Sequence, residues 1–420
     1  MFPKILKNYL RFWARLYLKR VKPEIIAVTG SAGKTSTKEV IFEVLKAGFG
    51  NQVRKSEGNL NTIYGVSLAI LGFKKPPVPL DRLFSPWAWI PVLFSAPIKI
   101  WANSQTKYLV LEIAADKPGD VKFITTFVKP TISVITNIGS AHLEIFGSLE
   151  KIIQEKTQIL HALKEGGTAV LNIDDKTLEK ISESGNFKTI TFALEKQADV
   201  VAKNITTEII QNESDKTLLP LTKFQIVTEK NKFLAQTHTL GREANVYPAL
   251  ASTAVAEILS LKSNAIIEGL KNVRPEKHRM QVFHGKNASI IIDDVYNANP
   301  LSVKSALNTL KILPSQPVRQ SPDGSRHLSG GRKIAVLGDM LELGKISEDA
   351  HKLIGGYALQ VADIVLSIGE KAGDYGAEKK FSDKDELKIY LLNEARKGDI
   401  ILIKASRGMA LEEIVEALKQ

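Results

Sequence analysis

The chain has 420 residues, 44% of them apolar, enough for two or three domains with cores of their own. It contains no cysteine, which excludes disulfides and thiolate metal centres and leaves oxygen and imidazole as metal ligands. With 57 basic against 45 acidic residues, its formal charge of +12 suits anionic partners: nucleotides, phosphorylated substrates, nucleic acid or an acidic membrane surface.

Residues 1–22 read as a helix in which Lys4, Lys7, Arg11, Arg15, Lys19 and Lys22 recur at spacings of three and four and so share a face. Phe2, Leu6, Leu10, Trp13 and Tyr17 occupy much of the rest, and no acidic residue precedes Glu24. Two readings stay open: a helix lying on an anionic bilayer, or one that docks its apolar side on the next domain. The repeated cations break any signal-peptide core, and no stretch reaches the roughly 18 to 20 apolar residues of a spanning helix. A cytoplasmic protein is expected, peripheral at the inner face of the membrane if the helix meets lipid.

From Glu24 the pattern changes to a short apolar strand (Glu24–Thr29), a Gly-rich turn and a helical stretch from Lys34 to Ala47. Strands are predicted at Tyr108–Ile113, Thr131–Asn137 and Thr168–Asn172, with a helix near Ser148–Leu163. Residues 187–240 lean towards strands and turns, and Asn245–Leu261 towards an alanine-rich helix. Beyond about residue 276 a second series alternates, with strands at Ser289–Asp294, Lys333–Leu337, Ile364–Ile368 and Asp399–Lys404. The expected fold is α/β: a mostly parallel, doubly wound P-loop domain over 23–275, then a Rossmann-like domain over 276–420. Pro314–Gly331 reads as a loop. The segment Lys74–Trp101, part of an insertion over 74–106, carries six prolines and three tryptophans; prolines at that density are expected to break a regular helix, and its aromatics suit a membrane interface or a partner groove.

The residues that carry chemistry begin with Gly30-Ser31-Ala32-Gly33-Lys34-Thr35-Ser36. Glycines here let backbone N–H groups approach phosphate oxygens, Lys34 neutralises the terminal phosphates, and the Thr35 hydroxyl suits Mg²⁺. Strand and helix flank the run as the motif demands. The general P-loop pattern carries one more glycine ahead of it, so that match is incomplete.

In its short form, Thr29 to Thr37, this loop resembles that of the Mur ligases, which join amino acids or peptides to a nucleotide-linked muramic acid. Further segments resemble the same family: Ser56 to Asn61, Leu111 to Ile113, Ile135 to Glu144, Asp174-Asp175, Ile292 to Pro300 and Leu337 to Gly344. The last two are most similar to the branch that adds D-alanyl-D-alanine. The resemblance implies ATP and two Mg²⁺ ions, with Thr35, Glu112 and His142 as metal ligands and Lys156 carbamylated to hold the second ion; Lys34, His142 and Lys156 would be the catalytic set. It assigns Asn245, Arg279, Asp294 and Tyr296 to the nucleotide, and Asn59, Asn61, Asn297, Lys404, Ser406 and Arg407 to the substrates. Departures from the family pattern fall at Ala244, Pro248, His278, Val295 and Ala405.

The implied reaction activates a carboxylate as an acyl phosphate, which an amine then attacks. The implied partners are a UDP-N-acetylmuramoyl-tripeptide-like carboxylate and a D-alanyl-D-alanine-like amine. A monomer without nucleic acid is expected. Typical members begin with a domain that holds the UDP-sugar, and here the basic helix stands in its place, which leaves the acceptor open. The alternatives are a ligase acting on another acid, of folylpolyglutamate or polymer type, and a membrane-associated scaffold that binds ATP without turnover.

Overall fold

The computed structural model describes residues 2–76, 86–101, 105–141, 143–212, 214–314 and 331–420. Residues 77–85 and 102–104 of the insertion, and 315–330 of the expected loop, lie outside them.

Nine strands form the first sheet: β1 (Glu24–Thr29), β2 (Val53–Lys55), β3 (Tyr108–Glu112), β4 (Ile132–Ile135), β5 (Thr168–Asn172), β6 (Lys188–Ala193), β7 (Val200–Gln211), β8 (Leu218–Thr228) and β9 (Lys232–Thr237). Their order is β2-β3-β1-β4-β5-β6-β7-β8-β9, parallel as far as β7 and antiparallel beyond it. β3, β4 and β5 are buried along their whole length, as parallel strands covered on both faces must be. Helices Lys34–Phe49, Glu243–Ile258 and Ser263–Lys271 cover one face; Ile63–Ile70, Asp120–Thr125 and Leu149–His161 cover the other. From β1 the chain crosses outward to β2, whereas from β3 it crosses back past β1 to β4. The carboxyl end of β1 is therefore a topological switch point, where open α/β sheets form their ligand crevices.

The second sheet comprises β10 (Gln281–Gly285), β11 (Ser289–Asp294), β12 (Lys333–Gly338), β13 (Ile364–Ile368), β14 (Lys379–Phe381) and β15 (Ile400–Lys404). Its order is β10-β11-β15-β12-β13-β14, parallel except for the β10–β11 pair. Asp294 and Lys404, the last residues of β11 and β15, are register partners at its carboxyl edge.

Helix Phe2–Val21 buries Leu6, Leu10, Ala14 and Tyr17 in the core beneath the first sheet. Burial of a leucine contributes about 1.5–3 kcal/mol, so this side is docked on the domain of the first sheet. The expected single cationic face is divided. The Lys7 and Arg11 cations lie 4.2 and 5.2 Å from the Phe123 ring centroid, whereas Lys4, Arg15 and Lys19 are exposed.

The expectation that prolines would break the helix in the insertion is overturned: Pro86–Lys99 is helical, with Pro91 and Pro97 inside it. A proline removes the hydrogen bond to the carbonyl four residues earlier. The Leu93 carbonyl, freed by Pro97, accepts instead from the Tyr9 hydroxyl at 2.5 Å. The Ile100 carbonyl just past the helix accepts from Arg20 Nη1 at 2.5 Å. Trp89, fully buried, anchors the same helix to the core.

Candidate active site

Local chemistry sets the P-loop geometry. Gly30 has φ +152°, and a Cβ there would stand 1.9 Å from Thr136 Oγ1; Gly33, at φ +76°, takes the left-handed turn that opens helix Lys34–Phe49. The loop is tied to the segment after β4. Ser31 N donates to Asn137 O at 3.0 Å, Ala32 N donates to Asn137 Oδ1 at 2.8 Å, and Thr136 Oγ1 donates to Ala32 O at 2.6 Å. Gly30→Ala is expected to lower the unfolding free energy by roughly 2–4 kcal/mol, read as a lower urea midpoint, because strand and loop must both shift.

Two lysines converge on one backbone oxygen. Lys34 Nζ donates to Gly30 O at 2.8 Å, and Lys156 Nζ, from the buried face of helix Leu149–His161, donates to it at 3.0 Å. Burial holds the Lys34 ammonium below its usual pKa, with Glu112 opposing and Arg279 adding to the effect. Lys156 is lowered to about 7, first by burial and then by the charge on Lys34. Beside them Glu112 ends β3, its register fixed against Val28 of β1. Its Oε1 accepts from Asn61 Nδ2 at 2.8 Å. Its Oε2 is buried, accepts no hydrogen bond among the described residues and stands 3.9 Å from the Lys38 ammonium.

The second sheet brings its carboxyl edge to face this loop. Arg279 Nη2 donates to Thr35 Oγ1 at 3.3 Å, and its guanidinium lies 3.9 Å over the Tyr296 ring. The Tyr296 hydroxyl donates to Asn59 Oδ1 at 2.7 Å, a second link between the domains. Lys404 Nζ donates to Asp294 Oδ2 at 2.5 Å and to Asn297 O at 3.0 Å. Burial pushes the Asp294 carboxyl up against the pull of that ammonium. Ser406 Oγ accepts from Leu341 N at 2.9 Å, and Arg407 is exposed beside Tyr296. Between the sheets lies a cleft of about 830 Å³, lined by P-loop, Glu112, Arg279, Tyr296 and Lys404 among others. That volume is ample for a nucleotide and part of a second ligand.

Of the residues singled out in the sequence, Ser31, Gly33, Lys34, Thr35, Ser36, Asn59, Asn61, Glu112, Asn245, Arg279, Asp294, Tyr296, Asn297, Lys404, Ser406 and Arg407 line this cleft. Gly30 and Lys156 meet it through the shared carbonyl. His142 lies outside the described residues. The Asp294–Lys404 pair joins two residues that the resemblance assigns to different ligands. Sequence reasoning missed Lys38, fully buried and 2.8 Å from Glu39 Oε1, although its place one helical turn after Lys34 put it on the same face. It also missed Tyr247, whose hydroxyl donates to Asp174 Oδ2 at 2.8 Å, and Asn137 as the partner of the loop.

A Gly-rich loop at one switch point, faced by an arginine and a lysine from a second α/β sheet, makes a cleft suited to a polyphosphate ligand. Family profiles match as the Mur ligase middle domain over residues 93–256 and as the Mur ligase, glutamate ligase domain over residues 278–407. The UDP-N-acetylmuramoyl-tripeptide–D-alanyl-D-alanine ligase of Bacillus subtilis is 30% identical, over 96% of this chain and 78% of its own. That of Buchnera aphidicola subsp. Baizongia pistaciae is 32% identical, over 94% and 75%. The MurF ligase of Thermotoga maritima, solved in complex with ADP, superposes with a TM-score of 0.76 at 27% identity, over 98% of this chain and 83% of that one. The chain belongs to the Mur ligase family, whose members are ATP-dependent, use Mg²⁺ and form carbon–nitrogen bonds.

Proposed function

We propose that this protein adds D-alanyl-D-alanine to the carboxylate of a UDP-N-acetylmuramoyl-tripeptide in peptidoglycan precursor synthesis. The observation that carries the proposal is the single cleft in which Lys34 and Glu112 of one domain face Arg279, Tyr296 and Lys404 of the other. The relatives named for this reaction extend over nearly the whole chain. In this reading the P-loop and Lys34 hold the ATP phosphates, with Asn245, Arg279, Asp294 and Tyr296 on the nucleoside side. Asn59, Asn61, Asn297, Lys404, Ser406 and Arg407 position carboxylate and amine. The carboxylate takes the γ-phosphoryl group, and the amine then displaces phosphate, forming the amide and releasing a proton. Phosphate release measured over a panel of acids and amines tests this. Stimulation that requires UDP-N-acetylmuramoyl-tripeptide with D-alanyl-D-alanine is expected; stimulation by a folate with glutamate instead would overturn it.

The residues fit Mg²⁺. Glu112 leaves a buried carboxylate oxygen without a hydrogen bond among the described residues, Thr35 offers a hydroxyl, and the Lys156 amine has a neutral fraction near pH 7. Bound there, Mg²⁺ supplies charge neutralisation to the transferring phosphoryl group. The proposal includes a second ion, which a carbamylated Lys156 and His142 would hold. The neutral amine adds CO₂ and loses a proton, so an expelled cation becomes an anionic oxygen ligand. Because its folded pKa lies below the usual 10.5, burial of Lys156 costs stability most below about pH 7 and progressively less towards 10.5. With ¹³C-bicarbonate, a carbamate resonance is expected to grow from pH 6 to 8 and to be missing in Lys156→Arg; a resonance that survives the substitution would refute this assignment.

The proposal also comprises a helix over 1–22, an ATP-binding domain over 23–275 with its insertion at 74–106, and a ligase domain over 276–420, acting as a monomer in peripheral contact with the membrane through residues 1–22 and 76–101. The two separate sheets support the division, and the cations and aromatics of the two segments support the contact.

A further inference from the structure

Helices Phe2–Val21 and Pro86–Lys99 share a surface that the ligase chemistry does not use. They lie side by side along a seam marked by the Tyr9–Leu93 and Arg20–Ile100 hydrogen bonds, with the Arg20 guanidinium 4.2 Å over the Trp101 ring. On the first helix Leu6, Leu10, Ala14 and Tyr17 face the core. At 3.6 residues per turn, the exposed Ile5, Phe12 and Leu16 fall on the far side of the seam from that core. On the second helix Trp89, Val92 and Ala96 face the core, and the exposed Trp87, Ile90, Phe94 and Ile98 again fall beyond the seam. The two stripes therefore adjoin as one outward surface.

Its aromatics are left in solvent to an unusual degree: Trp87 is 80% exposed, Phe94 76%, Trp101 67% and Phe12 59%. Scattered exposed apolar residues are ordinary, but a contiguous aromatic patch marks an interaction surface. Charge selects the partner. Residues 2–23 and 86–107 together carry nine Lys and Arg and no Asp or Glu, and Lys4, Arg15 and Lys19 are exposed alongside the stripe. A second copy of this chain would set these cations against their like, whereas anionic headgroups would meet them while the tryptophans enter the interface. Among the described residues no helix is long and apolar enough to cross a membrane.

We infer that this two-helix face docks the enzyme flat on an anionic lipid bilayer. The inference deepens the membrane contact proposed above through residues 1–22 and 76–101 and rests on it: helices Phe2–Val21 and Pro86–Lys99 present one continuous docking surface, and anionic lipid is what it reads. The test uses the full chain and vesicles of phosphatidylcholine with and without 30% phosphatidylglycerol, measuring cosedimentation and the tryptophan emission shift. Binding at least about tenfold tighter to the anionic vesicles is expected. Trp87→Ser/Phe94→Ser/Ile98→Ser and Arg15→Glu/Lys19→Glu should each weaken it about tenfold or more, with unaltered phosphate release in the absence of vesicles. Equal binding to both vesicle types overturns the inference. So does a triple variant that binds as well as the parent, which would assign any contact to the first helix alone. A concentration-dependent dimer, abolished by the same substitutions in sedimentation, would assign the face to a second copy. Phosphate release is read without lipid, so failure of the ligase assignment is seen separately.

Discussion

Lys34→Met is expected to lower ATP-dependent phosphate release by about 10²–10³-fold while leaving the chain folded, the usual scale for removing one preorganised charge from a phosphoryl-transfer site. Methionine keeps the length and apolar stem of the side chain and removes only the ammonium, so the half-buried space beside Glu112 stays filled. That ammonium donates to the Gly30 carbonyl at 2.8 Å. Burial already disfavours its charge, and a polyphosphate would meet a cation that gains from being neutralised. A second consequence distinguishes this loss from simple misfolding. The Lys34 charge contributes to the depressed pKa of Lys156, so its removal should move the onset of the ¹³C carbamate resonance to higher pH. Turnover within a few-fold of the parent would show that Lys34 has no part in the reaction.

Glu112→Gln is expected to cost about 10²-fold in turnover at ordinary Mg²⁺ and to recover in part as Mg²⁺ is raised, since the amide keeps one oxygen ligand but not its charge. The Asn61 contact at Oε1 survives in either amide orientation by exchange of donor and acceptor, so the strand end is not expected to move. Stability should change in the opposite direction. Glu112 Oε2 is buried without a hydrogen bond among the described residues, and Lys38 retains Glu39 at 2.8 Å, so removing the charge relieves a desolvation cost. A variant with unchanged or higher thermal midpoint and a raised Mg²⁺ requirement supports the metal role. One that loses both stability and activity, with no response to Mg²⁺, would instead make Glu112 a structural partner of Lys38.

How far the sequence predicted this structure varied with the kind of pattern involved. β1, β5, β11 and β13 fall on the predicted residues because continuous apolar runs bounded by turns leave a buried parallel strand few alternatives. The three-residue β2 and β14 have no room for a pattern, and only their neighbours in the sheet define them. The proline-bearing helix was illegible because the carbonyl that Pro97 frees is satisfied by Tyr9, a residue far away in the chain. In the site, the P-loop announced itself through its glycines, and the resemblance picked out the residues at both carboxyl edges. The Arg279–Thr35 and Tyr296–Asn59 contacts join residues more than two hundred positions apart, and no spacing along the chain encodes them.

The carbonyl of Gly30 gives the site an order of assembly. Both ammonium groups lean on it, so the site begins with two mutually repelling cations, and that repulsion favours the neutral Lys156 that CO₂ needs. An arriving polyphosphate reverses the balance: it draws Lys34 towards itself and favours a protonated neighbour. The carbamylation proposed for Lys156 is thus expected to be easiest before the nucleotide enters. Enzyme stripped of CO₂ and given ATP first should start with a lag that bicarbonate given first removes.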